Sequence, residues 1–140
     1  MVRSGGLVVS IEEAERPGPV VVVVAAHGSR APEANISHQG VVDALAAIVP
    51  HRVVPAYLEL AEPSIPDAID AAATTGAVTI LVLPYFLHPG RHLIDDLPAI
   101  VQEASARHRN VTVELLGSFG SEAGLLEILV AQVNSALVIR

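Results

Sequence analysis

The run Val20-Val21-Val22-Val23-Val24-Ala25-Ala26, followed at once by His27-Gly28-Ser29-Arg30, decides the fold. It is apolar at every position, so neither of its faces can be left to water. Such a strand belongs in a parallel sheet with helices on both faces, because a strand with one wet face would alternate apolar and polar residues. Pro19 and His27 bound the run, and its seven residues fall far short of the roughly 20 that a membrane span needs.

Reading onward, short β-branched runs alternate with longer Ala-rich stretches at helical spacing, the sign of successive β-α units. The first helix is expected over residues 33–48, with Val41, Leu45 and Ile48 on one stripe. A second strand over 51–58 contains Pro55, which has no N–H to donate and therefore points to an edge position or an irregular end. Ser64 is placed to cap a helix through Ile65, Ile69 and Ala72 that ends near Gly76. A third strand over 78–83 stops at Pro84, and a loop over 85–91 leads to a helix over 93–107. A fourth strand over 111–116 and a turn over 117–121 precede a last helix over 122–137. The expectation is an α/β, three-layer fold with a four-stranded parallel sheet, a single domain over 20–140. Residues 1–19, with Glu12, Glu13, Glu15, Arg16, Pro17 and Gly18, are less patterned and are read as a flexible N-terminal extension.

Composition removes several functions. With no cysteine, there are no disulfides, thiolate metal sites or cysteine nucleophiles, and any metal must be held by imidazole, carboxylate or water. The net charge is −7, the basic residues are eight arginines scattered along the chain, and aromatic content is 3%, so both the phosphate-neutralising patch and the stacking platform of nucleic-acid binders are missing. There is neither a phosphate-binding loop with its lysine nor a dinucleotide fingerprint, so no nucleotide is expected. No run suits a membrane span and none resembles a secretory leader, which makes the cytoplasm the expected compartment.

Ligands of open parallel sheets bind beyond the carboxyl ends of the strands, where strand order reverses. Residues 27–30, 57–62, 85–92 and 117–120 are therefore the ones that matter. His27 places an imidazole at the mouth of the sheet beside Gly28, which lets a ligand approach the backbone. A metal ligand or base and a structural imidazole bonded to a neighbouring loop both fit that position. His92, after the third strand, belongs to the same end of the sheet. Two neutral imidazoles suit divalent iron, cobalt, nickel or zinc, and with coordination positions left open they release the metal again. Glu59, and Glu62 near it, add carboxylates, although a solvated surface acid is the commoner role for either.

The other histidines carry less. His51 opens a strand and points to the opposite end of the sheet, His108 sits at a helix terminus where a cation is favourable, His38 faces either way, and His88 precedes Pro89. Residues 117–120, Gly-Ser-Phe-Gly, read as a turn more readily than as an anion cradle. Ser29 lacks the Gly-x-Ser-x-Gly elbow of serine hydrolases built on such sheets.

In order along the chain, His27-Gly28-Ser29-Arg30 with Ala34-Asn35, Tyr57-Leu58-Glu59 with Pro63, and Leu83-Pro84-Tyr85-Phe86-Leu87 with Gly90, His92 and Asp96-Leu97-Pro98 resemble the CbiX and SirB class of sirohydrochlorin chelatases over about residues 20–137. The resemblance implies a flavodoxin-like chelatase fold and ATP-independent insertion of cobalt, ferrous iron or nickel into sirohydrochlorin, on the way to cobalamin or siroheme. It assigns the two metal-site histidines to His27 and His92 and the acidic partner to Glu59. A single unit of this length is then expected to act as a homodimer. The macrocycle is a polycarboxylate and the chain is acidic, so the cleft needs local positive charge, for which Arg30 and Arg91 are placed as clamps. Ser29 and Tyr85 complete the expected substrate contacts. A non-catalytic metal or tetrapyrrole carrier, and a different metal-dependent enzyme on this scaffold, are the competing readings.

Overall fold

A computed structural model describes residues 2–3, 8–9, 16, 18–88, 90–91 and 95–138. The elements are strands β1 (Val2–Arg3), β2 (Val8–Val9) and β3 (Val20–Ala26), helix α1 (Pro32–Ala46), strand β4 (Arg52–Tyr57), helix α2 (Ile65–Thr74), strand β5 (Thr79–Pro84), helix α3 (Leu97–Arg107), strand β6 (Thr112–Leu115) and helix α4 (Ala123–Leu137). A short 3-10 turn, Phe119–Ser121, precedes α4. Within the stretch read as an extension, β1 pairs antiparallel with β2.

The main sheet is four-stranded and parallel in the order β4-β3-β5-β6. The five-valine strand β3 is central, and its alternate side chains divide between two cores. Val21, Val23 and Ala25 meet α2 and α3 through Ile65, Ile69, Leu97 and Val101, while Val22 and Val24 meet Val42 of α1. The chain runs outward from β3 to β4 and then crosses back to β5, so strand order reverses between β3 and β5. Pro55 does lie on an edge strand, opposite Val24. Ser64 caps α2 by accepting the Asp67 N–H at 3.2 Å, as its position predicts.

The stripe expected on α1 is met only in part. Val42 is fully buried and His38 nearly so, Leu45 is half-buried, and Ile48 lies past the helix end with 56% of its surface exposed. The expectation holds at Leu45, which packs against the core, and in part at Val41, but the fully inward positions are His38 and Val42. The start of α3 expected at about residue 93 lies outside the described residues; from Leu97 the helix runs as expected to Arg107.

Ile69 is completely buried between α2 and the sheet. Ile69→Ala is expected to cost about 2–5 kcal/mol, read from urea unfolding midpoints.

Asp70 of α2 accepts hydrogen bonds from Arg107 Nη2 at 2.8 Å and His108 Nε2 at 2.6 Å, tying the end of α3 to α2. His108 is thus structural, held by a carboxylate. Burial alone would raise the Asp70 carboxyl, but the hydrogen bonds and charges of His108 and Arg107 outweigh it and hold it below the usual carboxylate range. Folded Asp70 binds its proton more weakly than the unfolded chain does. Its contribution to stability is therefore complete above the unfolded value of about 3.9 and is lost as pH falls through the lower folded value. Asp70→Asn should flatten the acid limb of a stability-versus-pH curve and cost about 1 kcal/mol or less at neutral pH, because the cluster is partly exposed.

Candidate active site

The sheet ladder continues past the ends of β3 and β4, through Leu58 N–H to Ala26 O at 2.9 Å and Glu59 N–H to His27 O at 3.0 Å. This backbone pairing fixes His27 beside Glu59. Their side chains meet with Nε2 and Oε1 3.1 Å apart, each about half exposed. The ring of Phe86, just past β5, lies edge-on to the His27 imidazole with centroids 6.4 Å apart. An imidazole, its carboxylate partner and an aromatic edge thus share the rim where strand order reverses. A carboxylate on one imidazole nitrogen orients the ring, as it does for metal-ligating histidines generally.

The approach of the two chains here requires glycine. Gly28 has φ of +95°, and a Cβ on it would fall 1.8 Å from the Glu59 carbonyl oxygen. After Gly28, the loop is closed by Asn35 of α1, whose Oδ1 accepts the Ser29 N–H at 3.1 Å and whose Nδ2 donates to Ser29 O at 2.8 Å. The Ser29 hydroxyl accepts the Ala31 N–H at 3.0 Å. Ser29 therefore shapes its own turn, with its hydroxyl proton left to offer outward.

Behind His27 a cavity of about 300 Å³ is lined by Ser29, Asn35, His38, Tyr57 and Tyr85. It is at the small end of ligand pockets, so a flat macrocycle would lie over this rim rather than inside it. The Tyr57 hydroxyl donates to Asn35 O at 3.3 Å, and burial pushes its phenol up, keeping it a neutral donor. His38, which the sequence left undecided, points inward: Nε2 donates to Val24 O at 3.0 Å, and buried Nδ1 has no partner among the described residues. Its place at one turn's spacing from Val42 was the available signal.

Tyr85 is stacked on Phe119 with centroids 4.8 Å apart and tilted against His38 at 5.8 Å. Phe86 O accepts both the Ser118 hydroxyl at 2.7 Å and the Gly120 N–H at 2.9 Å. A Cβ on Gly120 would fall 1.8 Å from Leu87 O. Residues 117–120 are thus a turn locked onto the segment after β5, with the Gly120 N–H committed internally.

Arg30, Arg91, Glu62 and His88 are exposed. His92 lies outside the described residues. Among the described residues no group of three or more histidines and carboxylates gathers to hold a metal ion, so the described part of the site supplies His27 and Glu59. A second cavity, of about 260 Å³, runs along the edge strand β4 and has Arg52 and Asp67 as its charged residues. It has no imidazole.

The CbiX family model matches residues 21–136. The chloroplastic sirohydrochlorin ferrochelatase of Arabidopsis thaliana is 31% identical over 117 residues, which are 83% of this chain and 52% of that protein. A sirohydrochlorin cobaltochelatase of Methanothermobacter thermautotrophicus is 35% identical over 80 residues, 57% of this chain and 56% of that one. The chain therefore spans about half the length of these relatives. The crystal structure of a CbiX protein from Marinobacter aquaeolei VT8 superposes with a TM-score of 0.74 at 29% identity, covering 85% of this chain and 98% of that one.

Proposed function

Because the chain belongs to the CbiX family, we propose that it inserts a divalent metal ion into sirohydrochlorin, with cobalt or ferrous iron as the favoured metals and nickel as the third. The observation that carries this reading is the His27–Glu59 pair, 3.1 Å apart and half exposed at the carboxyl rim of β3.

In this reading the macrocycle lies across the strand ends. His27 and His92 present the metal to one of its faces. As M²⁺ enters, two pyrrole N–H bonds break and all four ring nitrogens bond the metal, so two protons must leave. Imidazole is suited to accept them near neutral pH, and Glu59 lies within reach of the one on His27. Arg30 and Arg91 take the carboxylates of the substrate, and Tyr85 and Ser29 face its edge. No nucleotide takes part, because metal entry is offset by proton release. Function in the cytoplasm as a homodimer completes the reading.

Purified protein, mixed with excess sirohydrochlorin and Co²⁺ or Fe²⁺ and followed by visible absorption, is expected to form many equivalents of metallated product per chain. Product that stops at one equivalent would identify a carrier instead. Retained metal binding with no tetrapyrrole binding would point to a different metal-dependent enzyme. His92→Ala is expected to remove turnover while leaving the free energy of unfolding within about 1 kcal/mol of the parent.

A further inference from the structure

Among the described residues, positive φ occurs at Gly18, Gly28, Gly76 and Leu60. Glycine takes that conformation freely, whereas a Cβ brings the side chain against its own backbone there. Leu60, at φ of +65°, is the non-glycine of the four, and it follows Glu59 directly. The turn is fixed on both sides, because the Glu59 N–H donates to His27 O at 3.0 Å and the Tyr57 N–H donates to Pro63 O at 2.9 Å. The chain must therefore reverse just after Glu59. That demand explains the left-handed backbone but not the leucine, which leaves 51% of its surface in water and belongs to neither core. A strained residue beside a site, whose side chain gains little from its own fold, points to a contact outside the chain.

The rim has a second exposed leucine. Leu87 follows Phe86, whose ring meets His27, and is 53% exposed. In the strand order β4-β3-β5, Leu60 comes after the strand on one side of His27 and Leu87 after the strand on the other. Neighbouring strands lie about 4.8 Å apart, so the two strand ends that carry these leucines are on the order of 10 Å apart, with His27 between them. A tetrapyrrole presents two kinds of surface to such a rim. Its carboxylates lie at the edge, where Arg30 and Arg91 meet them in the proposed reading, while its conjugated face is apolar and is best covered by apolar side chains.

We propose that Leu60 and Leu87 are the apolar contacts for the face of the macrocycle, one on each side of His27, and that the left-handed turn at Leu60 serves to stand its side chain at the rim beside Glu59. The leucines bear on the conjugated face and hold it level over the His27 ring, while the arginines hold the edge. Both contacts form with the metal-free ring and persist as metal enters, so they belong to binding rather than to the chemical step. The inference rests on the chelatase reading of the preceding section and deepens it by naming the residues that recognise the ring itself.

Leu60→Asn separates backbone from side chain, because asparagine tolerates the left-handed region and so keeps the turn while removing the apolar contact. Metal-free sirohydrochlorin, titrated into each protein and followed by its own visible absorption, is expected to bind Leu60→Asn and Leu87→Asn each about tenfold more weakly than the parent, as loss of one leucine contact implies. Leu60→Met, which keeps the contact, should stay close to the parent. In turnover, Leu60→Asn should raise KM for sirohydrochlorin by the same factor and leave kcat and KM for Co²⁺ unaltered, the pattern of a lost binding contact. Its urea midpoint should be at or above that of the parent, because the strain is relieved. Parent affinity in Leu60→Asn, in a protein that turns over, would overturn this inference alone. So would a fall in stability or kcat at unchanged KM, which would make Leu60 structural, or a changed particle mass by light scattering, which would mean that Leu60 meets another chain. A parent chain that binds no sirohydrochlorin would overturn the chelatase reading and this inference with it.

Discussion

His27→Ala is expected to lower metallation of sirohydrochlorin by about 10²–10⁴-fold, the range that a positioned proton acceptor contributes, with loss of metal presentation adding to it. The fold should survive. The His27 side chain is half exposed and meets the Glu59 carboxylate and the edge of Phe86. Its removal should therefore change the free energy of unfolding in urea by no more than about 1 kcal/mol. Glu59→Gln separates two roles for the carboxylate. Glutamine keeps a hydrogen bond to the ring but cannot take up a proton, so a loss as large as that of His27→Ala would make Glu59 part of the proton path, whereas a loss of about tenfold would make it an orienting group. A His27→Ala protein that metallates at the parent rate would remove His27 from the site.

A large loss of stability from a single added methyl is expected at Gly28. Its φ of +95° disfavours any L side chain, and the added Cβ would meet the Glu59 carbonyl oxygen at 1.8 Å, a backbone atom that cannot swing aside. Gly28→Ala should cost about 3 kcal/mol or more and, by pushing the residue after β4 away, should separate Glu59 from His27. Activity and stability should therefore fall together. Gly40→Ala is the matched control, since Gly40 is within α1 and nothing lies within 4 Å of its added Cβ. That change should raise stability by about 0.5–1 kcal/mol through helix propensity alone. Urea denaturation of the two variants against the parent gives both values.

The parts of the fold that sequence reveals are those where one residue type has one physical solution. Five consecutive valines forced a strand buried on both faces, Pro55 forced an edge, and Ser64 three residues before Asp67 made a cap. The phase of α1 escaped because Val41 and Val42 are adjacent and equally apolar, so composition cannot say which one enters the core. The burial of His38 escaped for the same reason, since a lone imidazole is inward only if a carbonyl such as that of Val24 waits for it. The exposure of α4 was not legible either, because an apolar helix reads alike whether or not it lies against its own sheet. At the site, His27 after the valine strand and Glu59 after β4 were legible from their place at strand ends. The commitment of the Ser29 hydroxyl to Ala31 depended on the turn geometry set by Asn35.

The most direct measurement is anomalous diffraction at the cobalt edge from crystals of this chain soaked in Co²⁺. Insertion by paired imidazoles requires a cobalt peak about 2.1 Å from a ring nitrogen of His27 and of His92, within one subunit or across two. A cobalt peak that has neither imidazole in its first coordination sphere, in crystals that still turn substrate over when dissolved, would contradict it.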